Sequence, residues 1–253
     1  MEIQKNFKDN IIFTEMKDMQ SIQLLIKELE YFGSFERAKH SLRFFKTGPG
    51  QYGEGDLFYG ATVPEIRSIA RKYKNITLND VQELLHNKYH ECRLVALMIL
   101  VEKYEKSKTD TEKKAIYEIY LKNTKYINNW DLIDLSAHKI VGAYLYDKDR
   151  KRLYELAKSK DLWKKRISVI STFYFIYRKD FNDSLKISEI LLEDKHDLIH
   201  KAVGWMLREV GKRNQNVEEK FLKQHYKTMP RTMLRYAIEK FDDKKKRFYM
   251  NKS

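Results

Sequence analysis

Apolar residues recur at helical spacing early in the chain. Ile22, Leu25, Ile26 and Leu29 fall on one face of a 3.6-residue period, and the pattern predicts helix over 11–46. Phe35, Leu42, Phe44 and Phe45 carry it to Lys46, where it stops. Residues 47–63 read TGPGQYGEGDLFYGATV, and Gly48, Gly50, Gly53, Gly55 and Gly60 are five of the chain's nine glycines. Such a density of glycine, with Pro49 inside it, predicts a long surface loop. Tyr52, Phe58 and Tyr59 among the glycines suit a contact loop better than a linker. The stretch lacks a Gly-Lys-Ser/Thr ending and flanking strands, which argues against a phosphate-binding P-loop. Pro64 suits the first turn of a following helix over 65–73.

Beyond it the pattern repeats. His90-Glu91-Cys92-Arg93, Asn128-Asn129-Trp130-Asp131, Trp163-Lys164-Lys165-Arg166 and Leu198-Ile199-His200-Lys201 each open an apolar helical stretch. Aligned on Arg93, Asp131, Arg166 and Lys201, they are 38, 35 and 35 residues apart, and a weaker copy starts near Pro230-Arg231. Another amphipathic helix precedes each copy, and no strand-like alternation competes. Helix pairs at this period predict an all-α chain, an α-solenoid of HEAT-like or armadillo-like repeats, forming one domain over 1–253. The second helices of such pairs line a concave face. Arg93, Lys164, Lys165, Arg166, Lys201 and Arg231 lie near their starts, which predicts a basic groove suited to duplex phosphates.

One copy departs from the rest. In Asn128–His138, Asn129 reads as an N-cap with Asp131 in the first turn, where a negative charge suits the helix dipole. Trp130 and Asp134 are four residues apart and share a helix face. Spacing alone allows a plain helix start, with Trp130 in the core, as readily as a chemical site.

Composition adds a partner. Lys and Arg outnumber Asp and Glu by 50 to 36, a formal charge of +14, so nucleic acid is the first polyanion to expect and an anionic membrane surface the second. The one cysteine, Cys92, excludes a disulfide framework. Residues 1–10 carry no apolar signal region, and the longest apolar run, 94–101, is too short to cross a bilayer. A cytoplasmic protein without a membrane partner is expected. His86/His90 and His196/His200 have metal-compatible spacing but lack the further ligands, so no metal is expected. His138 could hydrogen-bond Asp134 one turn back. Trp163 reads as packing between repeats, and residues 242–253 as a solvated basic tail.

Three segments in register resemble the AlkD-like DNA alkylation-repair glycosylases: Asn129-Trp130-Asp131-Leu132-Ile133-Asp134, Trp163 to Arg166, and Gly204-Trp205-Met206-Leu207-Arg208-Glu209. The glycine-rich stretch followed by Glu65-Ile66-Arg67 is similar to that family's N-terminal portion, so the resemblance runs from about residue 30 to residue 240. It implies a catalytic Asp134, cleft tryptophans Trp130 and Trp205, and Arg166 holding DNA beside the lesion. It implies phosphate contacts at Arg208 and Lys212, and either Tyr52 or Tyr59 touching DNA. The implied substrate is double-stranded DNA carrying 3-methyladenine or 7-methylguanine, attacked by a monomer without cofactor.

That chemistry suits these residue types. Ordinary glycosidases use two carboxylates, one of them to protonate the leaving group. A cationic purine leaves as a neutral base, so one carboxylate that stabilises the sugar cation and orients water suffices. A catalytically silent repeat protein that binds damaged or branched DNA, and a protein-binding scaffold, are the alternatives.

Overall fold

The computed structural model describes residues 21–251, and among them helices account for all regular structure apart from one isolated bridge between Leu57 and Tyr89. Residues 11–20 of the expected first helix lie outside the described residues. By packing, the chain divides between Lys103 and Tyr104 into two compact units.

The first unit holds α1 (Ser21–Tyr31), α2 (Phe35–Phe44), α3 (Val63–Lys72), α4 (Leu78–Leu85) and the start of α5 (His90–Lys106). The uninterrupted helix expected to reach residue 46 is broken, because Ser34 leaves the helical ladder and donates its N–H to the Tyr59 carbonyl at 2.8 Å. Helix α1 buries Ile22, Leu25 and Leu29, and each fully buried aliphatic side chain contributes about 1.5–3 kcal/mol. Helix α3 opens with a capping box between Thr62 and Glu65 and carries Pro64 in its first turn.

The second half of the loop before α3 is pinned to the start of α5, while Tyr52 and Tyr59 stay partly exposed. The Glu91 carboxylate accepts from the Tyr59 and Gly60 N–H groups at 3.1 and 2.8 Å. Phe58 is buried and forms a three-ring cluster with Phe45 and His90, its centroid 5.2 and 4.9 Å from theirs. Arg93, expected in a phosphate groove, is also buried. It donates to Asp56 at 2.6 Å and to the Asn87 and Lys88 carbonyls. A packed loop must satisfy its buried carbonyls and carboxylates, and Arg93 supplies the donors.

In the second unit α6 (Asp110–Lys122) is followed by α7 (Trp130–Ala137), which runs through a π-helical turn (His138–Gly142) into α8 (Ala143–Leu145). Then come α9 (Lys151–Ala157), α10 (Leu162–Ser171), α11 (Phe173–Tyr177), α12 (Asn182–Ile190), α13 (Asp197–Gly211), α14 (Gln215–His225), α15 (Arg231–Ala237) and α16 (Asp243–Met250). The aligned helices pack in sequence order, α7 on α10, α10 on α13 and α13 on α15. Helix α9 backs α10, and α12 and α14 back α13. This is the stacking expected of helix-pair repeats, each unit burying its apolar stripe on the next. Within the basic tail Asp242 caps α16, Lys244 and Arg247 are exposed, and Tyr249 near its end is buried. No helix among the described residues is long and apolar enough to cross a membrane.

Candidate active site

Helix α7 starts where its sequence says. Asn129, extended at φ −148° and ψ 157°, accepts the Trp130 N–H on its side-chain oxygen at 2.8 Å. Leu132 and Ile133 turn into the core, and Ser136 joins them by donating to the Leu132 carbonyl while meeting the Tyr120 hydroxyl at 3.0 Å. That leaves Trp130 and Asp134, one turn apart, partly open.

Asp134 meets Arg166 from the next repeat. The guanidinium donates through Nε to Oδ1 at 2.9 Å and through Nη2 to Oδ2 at 2.7 Å, a two-pronged pair. Its remaining nitrogen, Nη1, donates to the Leu198 carbonyl at 2.6 Å, so one side chain ties together α7, α10 and the first turn of α13. Arg166 therefore faces inward and holds a carboxylate, where the resemblance implied a DNA contact. The side chain of Arg166 is 5% exposed and that of Asp134 is 20%, so the cation is walled in while the anion keeps a window to solvent. Burial raises the Asp134 carboxyl above its ordinary pKa, and the Arg166 guanidinium opposes that rise.

The π-helical turn begins one turn beyond Asp134, with His138. Burial lowers the His138 pKa to about 4, with help from the Lys139 charge and opposed by the Asp134 carbonyl, so the imidazole is neutral at pH 7. Two glycines set the spacing of the stack here. A Cβ on Gly142 would lie 2.1 Å from the Ser171 carbonyl oxygen, and one on Gly204 would lie 2.4 Å from that of Met233. Only glycine permits these approaches. Gly204 precedes Trp205, which is partly exposed and packs its ring 5.6 Å from that of Phe173. The Phe173 ring in turn lies 5.3 Å from His138. Phe173 sits at the α10–α11 junction and no motif marks it. Among sequence signals, only its place in the aromatic run Phe173-Tyr174-Phe175 was available.

The remaining expected residues are distributed along the second unit. Lys164 is part-exposed in the first turn of α10, where Asp161 caps the helix and Trp163 is buried in the packing. Lys165 pairs with Asp194, Lys201 with Asp197 at 2.7 Å, Arg208 with Glu239, and Lys212 with Glu209 at 2.6 Å. Arg231 donates to the Met250 carbonyl at 2.5 Å. The more exposed of these pairs contribute roughly 0–1 kcal/mol each, so a phosphate can replace the carboxylate partner at little cost. In the first unit Tyr52 reaches the Phe44 carbonyl at 3.5 Å. Tyr59 stacks on Tyr89 at 3.8 Å, and burial holds its phenol well above the ordinary tyrosine range.

The histidine pairs have other duties. His196 caps α13 and His200 meets the Asp194 carbonyl, while His90 lies 3.3 Å from Asp56 and His86 ends α4. Among the described residues no group of three or more His, Cys, Asp or Glu is placed to hold a metal. A cavity of about 820 Å³ lies in the second unit between Glu189, Glu193, Asp194, His200 and His225. Its three carboxylates make it a poor host for a phosphate.

Comparison with known proteins agrees with this architecture. A predicted DNA alkylation repair enzyme from Enterococcus faecalis superposes with a TM-score of 0.63 at 15% identity, covering 83% of this chain and 97% of its own. AlkD2 and the protein smu.31, both from Streptococcus mutans, superpose with a TM-score of 0.50 at 17% and 16% identity, each covering 88% of this chain and all of their own. At these identities the likeness establishes the fold. No curated protein matches the chain. The family model for DNA alkylation repair enzymes matches residues 25–241, most of the sequence, and the chain belongs to that family.

Proposed function

We propose that the protein is a DNA glycosylase that hydrolyses the N-glycosidic bond of cationic alkylated purines, 3-methyladenine and 7-methylguanine, in duplex DNA. The observation that carries this reading is the Asp134–Arg166 pair, a fixed carboxylate with one open side in the second helix of a repeat. As the bond to a cationic purine breaks, its electron pair neutralises the base, which leaves without needing a proton. Positive charge moves to the sugar, where the Asp134 carboxylate stabilises it. A water oxygen then bonds to the sugar carbon and gives up one proton to bulk solvent, leaving an abasic site and the free base.

Preorganised charge stabilisation of this kind contributes about 3–4 kcal/mol, a rate factor of roughly 10²–10³. That suffices for a bond already weakened by alkylation. Trp130 and Trp205 add π faces toward the cation, worth about 0.5–2 kcal/mol each. The reading requires neither metal nor cofactor, and places the enzyme in the cytoplasm, where the buried Cys92 thiol stays reduced.

The pair also favours a second reading, since every hydrogen bond that Asp134 accepts from Arg166 could serve structure alone. In that case the protein binds damaged or branched DNA without cutting. The two readings separate on incubation with methylated duplex DNA and chromatography of the released material. Free 7-methylguanine or 3-methyladenine from the wild type, lost in Asp134→Asn with DNA affinity within about two-fold, supports the glycosylase. Binding without any released base would establish the silent binder.

A further inference from the structure

We propose that Phe173 is a positioning residue of the candidate site, joining His138 and Trp205 into one aromatic wall against which the cationic base is held. This rests on the glycosylase reading and names what supports its base-binding side. Phe173 is a hub. Its ring lies 5.3 Å from His138, 4.8 Å from Tyr177 and 5.6 Å from Trp205, and the Arg213 guanidinium is 5.9 Å away. His138, Phe173 and Trp205 are each partly buried, so each keeps an edge toward solvent.

Two features of the backbone bring the hub to its place. Helix α10 stops at Ser171 and α11 restarts at Phe173, with the Thr172 hydroxyl turned back to the Val169 carbonyl. The missing side chain of Gly142 then lets the π-helical turn close onto this junction, where a Cβ would strike Ser171 and Tyr174. The π-helical turn thus presents His138 to Phe173. Such turns occur often at functional sites because they redirect side chains that a regular helix would send elsewhere.

The charge balance of the wall fits a cationic guest. Arg213 sits over the Tyr177 ring at 4.2 Å and meets the Glu209 carboxylate at 3.0 Å, a carboxylate it shares with Lys212, so its charge is offset in part. His138 is neutral at pH 7, which spares the base an imidazolium one turn from Asp134. The aromatic faces remain, and they attract cations. A ring at 173 is required for this arrangement, and an aliphatic side chain of similar volume cannot replace it.

Phe173→Leu keeps apolar bulk and loses the ring, whereas Phe173→Tyr keeps the ring. On methylated duplex DNA, Phe173→Leu is expected to lower the single-turnover rate of base release ten-fold or more with DNA affinity within two-fold. Phe173→Tyr is expected to stay within three-fold of wild type. A second measurement needs no catalysis. In a chain carrying Trp130→Phe and Trp163→Phe, Trp205 is the remaining tryptophan, and Phe173→Leu should red-shift its emission and increase quenching by iodide. A leucine variant with wild-type rate and unchanged Trp205 emission would overturn the proposal. If the wild type releases no base, the glycosylase reading fails, and the Trp205 emission still decides whether Phe173 positions it.

Discussion

Replacing Arg166 by methionine isolates what the guanidinium does for Asp134. Methionine keeps the aliphatic bulk and donates nothing, so both Asp134 hydrogen bonds and the one to the Leu198 carbonyl disappear. Breaking a fully buried ion pair by removing one partner costs about 3–5 kcal/mol. Asp134 keeps 20% of its side chain in water, and partial rehydration should reduce the loss to about 2–3 kcal/mol. The loss also moves a proton. Burial already raises the Asp134 pKa, and without the opposing guanidinium it rises further, each unit corresponding to about 1.4 kcal/mol. Only the ionised carboxylate stabilises a sugar cation. Excision by Arg166→Met should therefore climb with pH through a midpoint more alkaline than in the wild type. Urea unfolding measures the first effect, and single-turnover release of 7-methylguanine across a pH series measures the second. A methionine variant with the wild-type rate and pH profile would refute the assigned role. The double variant Asp134→Leu, Arg166→Met should recover the stability lost in the single variant but not the activity, because an apolar pair leaves no buried charge.

Two further outcomes follow from other charged groups. Glu218 is buried against Gly211, and burial, aided by the Glu219 charge, raises its pKa from 4.5 to about 9. The folded chain then binds more protons than the unfolded chain across that window, so this group's contribution is full below about pH 4.5 and lost as pH rises toward 9, by up to about 6 kcal/mol. Glu218→Gln should flatten the alkaline fall of the melting temperature, and an unchanged pH slope would count against a buried neutral acid there. Arg208→Gln removes a cation held on the surface by Glu239. Measured by titration at several salt concentrations, it should weaken DNA binding and reduce the slope of log affinity against log salt by about one.

Local signals were legible and distant partners were not. The Asn129 cap and the place of Pro64 in the first turn of a helix are properties of short windows, and each appears where its window places it. The inward turn of the arginines was invisible. Arg93 and Arg166 occupy the same repeat position, and both read as phosphate ligands. Each instead folds back onto a carboxylate, the buried Asp56 for one and the part-open Asp134 for the other. Their partners lie 37 and 32 residues away, beyond any local pattern. The packing of Phe58 and Tyr59 was hidden for the same reason, since glycine content reports backbone freedom but not which helix the loop will meet. Phe173 gave no warning because its importance comes from the break between α10 and α11 and from the closeness that Gly142 allows, both set by packing.

A chain with a net charge of +14 gains nothing for phosphate binding by placing a carboxylate among its second helices. Nor does stability require it, because apolar side chains of matching volume commonly equal or exceed a buried ion pair. Yet Asp134 is held by two of the three donors that Arg166 places, with the guanidinium on the dry side and the carboxylate on the wet side. The neighbouring histidine is kept neutral, and its ring is followed by those of Phe173 and Trp205. Each feature opposes a second anion at this point and welcomes a cation. The DNA backbone is not cationic. The sugar is, at the moment its bond to the base breaks, and so is an alkylated purine before it leaves. The arrangement is costly for binding DNA and well suited to cutting a damaged base from it.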